Sequence, residues 1–127
     1  MSRFLWVCVG GAAGTGARYW LSGWAQRHAG PGFPAGTLAV NVIGSFLLGA
    51  LMEIGVAGGM LAPTLRVALT TGVMGGFTTY STFNYETIEY LREGAWALGI
   101  VNVAATVLVC LGAGIAGLAA GRGLIGR

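Results

Sequence analysis

Followed by its apolar and polar positions, the chain divides into four apolar stretches joined by short runs of helix breakers. Crossing a hydrocarbon core takes about 20 helical residues. Four stretches reach that length, at roughly residues 4–24, 35–54, 64–92 and 96–120. The run HAGPGFP at 28–34 separates the first two. A Gly-rich connection at 55–62 follows the second, and Pro63 stands where a first helical turn has no use for an N–H. Arg3 and the small residues behind the first apolar run imitate a signal peptide, but three more spans follow and no convincing cleavage site is present. A retained helix is expected. The fold class is therefore an all-α integral membrane protein, one domain of four transmembrane helices with no internal repeat.

The third stretch breaks the pattern. Residues 69–86, LTTGVMGGFTTYSTFNYE, are crowded with hydroxyls and carry the pair Gly75 and Gly76. In lipid every backbone N–H and C=O needs a partner inside the protein. A helix interrupted here, near 75–78, is viable only where protein or a water-filled cavity surrounds the break. One broken helix among four cannot satisfy its freed groups alone, so two copies are expected to meet at it.

Few polar side chains lie elsewhere in the spans. Asn41, with Thr37 one turn earlier, offers amide donors to an anion or serves as a hydrogen bond between helices, and both readings stay open. Asn102, Thr106 and Cys110 form a stripe at i, i+4, i+8 on the fourth span. Tyr80 and Phe83, with Ser81 and Thr82 between them, are either packing aromatics or rings that turn a positive edge toward an anion. Arg18 is either functional at its depth or snorkels to the interface. Glu86 faces a vestibule or is an ordinary interfacial charge. Apart from Glu53 near an end, no carboxylate lies in the first, second or fourth span, which argues against a carboxylate-centred cation or proton exchanger.

Composition narrows the class. Of 127 residues 55% are hydrophobic and 9% charged, which excludes disorder. The net charge of +3 is spread singly, so no nucleic-acid patch forms. Cys8 and Cys110 lie deep in apolar spans as small hydrophobes, without CxxC or metal-ligand spacing, and His28 reads as a loop residue. No nucleophile triad or metal cluster can be assembled, so no enzyme is expected. Arg3, Arg66, Arg122 and Arg127 fall on one side of the membrane and Arg27 and Arg92 on the other. That near balance leaves orientation weakly specified and predicts copies inserted in opposite directions.

GARYW early in the first span, GTLAVN at 36–41 and TTGVMGGFTTYSTFNYE at 70–86 resemble the Fluc (CrcB) fluoride channels, in the same order and over the whole chain. The resemblance implies a fluoride-selective passive channel that relieves cytoplasmic fluoride entering as HF. It further implies an antiparallel dual-topology homodimer in the cell membrane, surrounded by lipid. Asn41 matches the family's pore asparagine, Tyr80 and Phe83 its pair of pore phenylalanines, and Ser81 and Thr82 its hydroxyl track. Gly75 and Thr78 fall where backbone carbonyls of two subunits hold a structural Na⁺. Thr37, Glu86, Asn102, Thr106 and Cys110 resemble a polar rail toward the vestibule. The family usually has Phe at the place of Tyr80 and commonly Ser at that of Asn84. The alternative is a small proton-coupled exporter of guanidinium or drug cations, which needs a glutamate in the first span where this chain has none. A scaffold without transport is the third class.

Overall fold

The computed structural model describes residues 2–126, which are helices and their connections with no strand among them. Helix α1 (Ser2–Ala29) is followed by α2 (Ala35–Met52), which ends in one π-helical turn (Glu53–Ala57). The third helix comes in pieces: α3 (Pro63–Val67), a π-helical run (Ala68–Met74) and α4 (Gly75–Phe77), then α5 (Tyr80–Arg92). Helix α6 (Trp96–Leu124) completes the chain. Pro63 opens α3 in its first turn, as expected.

Among the described residues two helices are long and apolar enough to cross a membrane, α2 with its π turn and α6. The 13 residues of α5 extend only about 20 Å at 1.5 Å per residue, well short of a core of about 30 Å. Residues 63–77 fall short as well. The two halves have the length of a span only end to end.

Helix ends are set locally. Gly30 (φ 84°) and Gly94 (φ 75°) adopt the left-handed conformation that closes α1 and α5. After α5 the Gly94 N–H reaches the Leu91 carbonyl and the Ala95 N–H the Tyr90 carbonyl, a Schellman ending. Gln26 stitches the loop between α1 and α2, donating to the carbonyls of Gly30 (2.6 Å) and Phe33 (2.9 Å) and accepting from the Gly36 N–H (3.1 Å).

Backbones touch where glycines face one another, which is how helices pack without a hydrophobic drive between them. A methyl group on Gly14 would collide with the Val73 carbonyl, and one on Gly76 with that of Gly11, so α1 and the first half of the third helix are in backbone contact. Gly117 stands against Phe46 and Gly49 against Gly114 in the same way, joining α2 to α6. The buried apolar cluster is small: Val40, Met74 and Phe77, flanked by Leu21, Leu51 and Val73. Large apolar side chains on α6, such as Ile100, Leu108 and Ile115, remain exposed, the composition of a surface that lipid or protein covers.

The interruption falls at the far end of the expected 75–78 and runs one residue past it. Gly75 keeps helical torsions (φ −63°, ψ −37°), and the helix runs on to Phe77. The extended residues are Thr78 (φ −88°, ψ 157°) and Thr79 (φ −148°, ψ 112°). Gly76 serves close approach to α1, whereas β-branched threonines suit the extended backbone.

Candidate functional site

A helix break frees backbone groups, and each freed group needs a partner. Asn41, buried on α2, meets Thr79 in a reciprocal pair: its Nδ2 donates to the Thr79 carbonyl (3.0 Å) and its Oδ1 accepts the Thr79 N–H (2.8 Å). One side-chain amide thus does what a neighbouring strand would do for an extended residue. The Thr79 hydroxyl caps α5, accepting from the Thr82 N–H (3.2 Å) and donating to the Thr82 hydroxyl (2.9 Å). On the other side, Arg18 Nε donates to the Gly76 carbonyl (2.9 Å). The Thr78 N–H and hydroxyl both return to the Met74 carbonyl, each at 3.0 Å. Gly44 gives α2 its close approach, since any side chain there would strike the Thr78 methyl.

Beside the break an open groove of about 330 Å³ is lined by Asn41, Ser45, Thr78, Thr79, Tyr80, Phe83, Thr106 and Cys110, among others. After its bond to Thr79, the Asn41 amide retains a second N–H. The groove is thus bordered by the Asn41 amide, the hydroxyl residues Ser45, Tyr80 and Thr106, the Cys110 thiol and the Phe83 ring, with no carboxylate in its lining, while the Thr78 and Thr79 hydroxyls donate elsewhere. That set suits a small anion that has shed its water.

Of the residues singled out in sequence, Asn41, Thr78, Tyr80, Phe83, Thr106 and Cys110 are brought together there. Ser81 is exposed, and Thr82 is engaged with Thr79. Thr37 lies elsewhere, donating to Glu86 Oε1 at 2.6 Å. Glu86 in turn borders a separate cleft of about 470 Å³ with Gln26, Phe33, Tyr85 and Tyr90. The fourth-span stripe is divided, because Asn102 donates to the Thr87 hydroxyl (3.0 Å), itself bonded to the Phe83 carbonyl (2.8 Å). Asn102 ties α5 to α6 and leaves Thr106 and Cys110 to the groove. Gly75 faces open space. Sequence reasoning missed Ser45 and Thr79. Ser45 carried a signal, one turn after Asn41 on α2, whereas nothing set Thr79 apart from Thr78.

An all-helical chain with long apolar helices, large exposed apolar side chains and a doubly braced helix break defines an α-helical membrane protein. The family model for CrcB-like protein, Camphor Resistance (CrcB), matches residues 5–118. The Fluoride-specific ion channel FluC of Sorangium cellulosum is 58% identical over 125 residues, covering 98% of each chain. That of Anaeromyxobacter dehalogenans is 52% identical over 126 residues, 99% of this chain and 100% of its own. The FluC protein of Geotalea daltonii is 46% identical over 122 residues, 96% of this chain and 98% of its own. The chain belongs to the CrcB family.

Proposed function

We propose that this protein is a fluoride-selective passive channel and no enzyme, exporting cytoplasmic fluoride. The reading is carried by its near full-length identity to proteins named as fluoride-specific channels, and the groove is chemically consistent with it. Fluoride holds its water tightly, so a path must replace that shell with donors. In this reading the second N–H of Asn41, the hydroxyls of Ser45 and Thr106 and the positive edges of Tyr80 and Phe83 supply them without opposing charge. Ser81, Thr82 and Thr37 extend the polar path beyond the groove in this reading.

The working form in this reading is an antiparallel homodimer of four-span protomers in the cell membrane. Gly75 supports it, because its open side has space for a second chain. A structural Na⁺ held by carbonyls fits the donor set at the break. The carbonyls of Gly75 and Thr78 take no part in the bonds to Asn41, Arg18 and Met74 that secure their neighbours. Bound there, the ion would supply fixed positive charge and a cross-link between subunits.

Efflux from liposomes containing the purified protein tests the function. Fluoride should leave and chloride should not; equal efflux, or none, would refute the reading. Cation-coupled flux without fluoride flux would favour the exporter instead. Thiol labelling of a terminal cysteine in intact cells, with Cys8 and Cys110 replaced, tests the topology. Labelling of that terminus from one side alone would exclude opposed insertion.

A further inference from the structure

Arg18 is a long charged side chain midway along α1, and it ends on a backbone carbonyl 58 residues away in sequence. That carbonyl, of Gly76, belongs to the last turn before the break, where the N–H expected four residues later is lost. The end of a helix carries partial negative charge, and a guanidinium is its natural complement. Gly76 lies on the side of the break turned toward α1, against Gly11 and Thr15, and Arg18 is absent from the groove lining. Direct packing cannot replace the bond, because a side chain on Gly76 would strike α1. Asn41 holds Thr79 from the opposite side. The turn between the two grips therefore has little freedom.

We infer that Arg18 is a positioning residue for conduction: through the Nε–Gly76 hydrogen bond it fixes, from α1, the stretch whose other side lines the groove. The inference rests on the channel reading above. Arg18 never touches the ion; its donor sets where Thr78, Thr79 and Tyr80 present their groups.

The bond uses Nε, not the fork, and this makes a discriminating test possible. Arg18→Gln places an amide N–H donor at the same distance along the side chain without charge. Arg18→Lys keeps the charge but has a methylene at that place, and Arg18→Met has neither donor nor charge. Fluoride efflux should fall at least about tenfold in Arg18→Met with the dimer retained, because a half-buried carbonyl loses its donor. Arg18→Gln should restore efflux to within about threefold of the unmodified protein, and Arg18→Lys should restore less. Should Arg18→Met fail to fold, the order of Gln above Lys decides. Lys equal to or above Gln overturns the inference, as does full efflux in Arg18→Met. Amide hydrogen exchange across residues 76–82 reads the same grip without any flux. It should quicken locally in Arg18→Met and return in Arg18→Gln; exchange unchanged in both overturns the inference. If the unmodified protein passes no fluoride, the channel reading fails by itself, and exchange alone judges the grip.

Discussion

The rings of Tyr80 and Phe83 meet edge to face, 5.7 Å between centroids and 61° between planes, although Tyr80 is 76% exposed and Phe83 only 8%. The pair is thus one ring anchored in the protein and one resting on it. If ring edges guide the anion, Tyr80→Phe should conduct at close to the unmodified rate, since the positive C–H edge persists. Phe83→Ile should largely abolish efflux in matched liposomes with the dimer retained. Loss in Tyr80→Phe with Phe83→Ile still active would reverse the two roles.

Asn41 answers both backbone groups of Thr79, and its variants should separate those bonds. Asn41→Asp keeps an acceptor for the Thr79 N–H but sets an oxygen against its carbonyl. Asn41→Leu leaves both groups without a side-chain partner. Each should lower the protein's stability by about 1–3 kcal/mol, with Leu at the upper end, and each should stop fluoride efflux. An unchanged melting temperature in Asn41→Leu would show that the break does not depend on this amide.

Gly75 and Gly76 are neighbours with opposite surroundings. A side chain on Gly76 collides with α1, whereas one on Gly75 meets nothing within 4 Å in the protomer. Gly76→Val should therefore prevent folding of the chain. Gly75→Val should leave helix content intact by circular dichroism but remove the dimer from gel filtration. A dimeric, conducting Gly75→Val would count against both the interface and the carbonyl ion site.

Glu86 Oε1 is held by the Thr37 hydroxyl, while Oε2 is buried without a hydrogen bond among the described residues. Thr37→Val strips the carboxyl of its donor and should cost about 1–3 kcal/mol of stability. The double variant Thr37→Val with Glu86→Leu should regain part of that loss, since no polar group is then left unpaired. Additive losses in thermal melts would mean that the two side chains do not act as a pair.

The broad architecture was legible because it follows from rules with long reach. Pro63 at a helix start and the Gly-Pro loop between α1 and α2 are local signals that hold in the structure, and of the expected spans α2 and α6 are long and apolar enough to cross a membrane. The break was legible at Thr78, which is extended, but not at Gly75 and Gly76, which stay helical. Gly75 and Gly76 read as breakers, yet a glycine in a membrane helix as often marks close approach, and only the packing of Gly76 on α1 tells these apart. Partners across the chain left no mark in sequence. Asn41 could have faced an ion, a helix or a backbone, and its reciprocal bond to Thr79 depends on how near Gly44 lets α2 come. The regular spacing of Asn102, Thr106 and Cys110 likewise hid that Thr87 claims the first of them.

Because Asn102 reaches Phe83 through Thr87, α5 is lashed to α6, and α6 lies against α2; residues 63–77 ride on α1 instead. The chain thus crosses from one helical sheaf to another at two threonines. Arg18, from the first sheaf, grips Gly76, and Asn41, from the second, grips Thr79. Phe77 and Thr78 are the only residues between the grips, and Phe77 is still helical. Thr78 and Thr79 carry the chain across, with the Thr78 methyl seated in the notch at Gly44, while the two sheaves also meet directly where Gly36 of α2 lies against the Ser22 carbonyl of α1. A side chain added at Gly44 would therefore displace the very segment that carries the chain from one sheaf to the other.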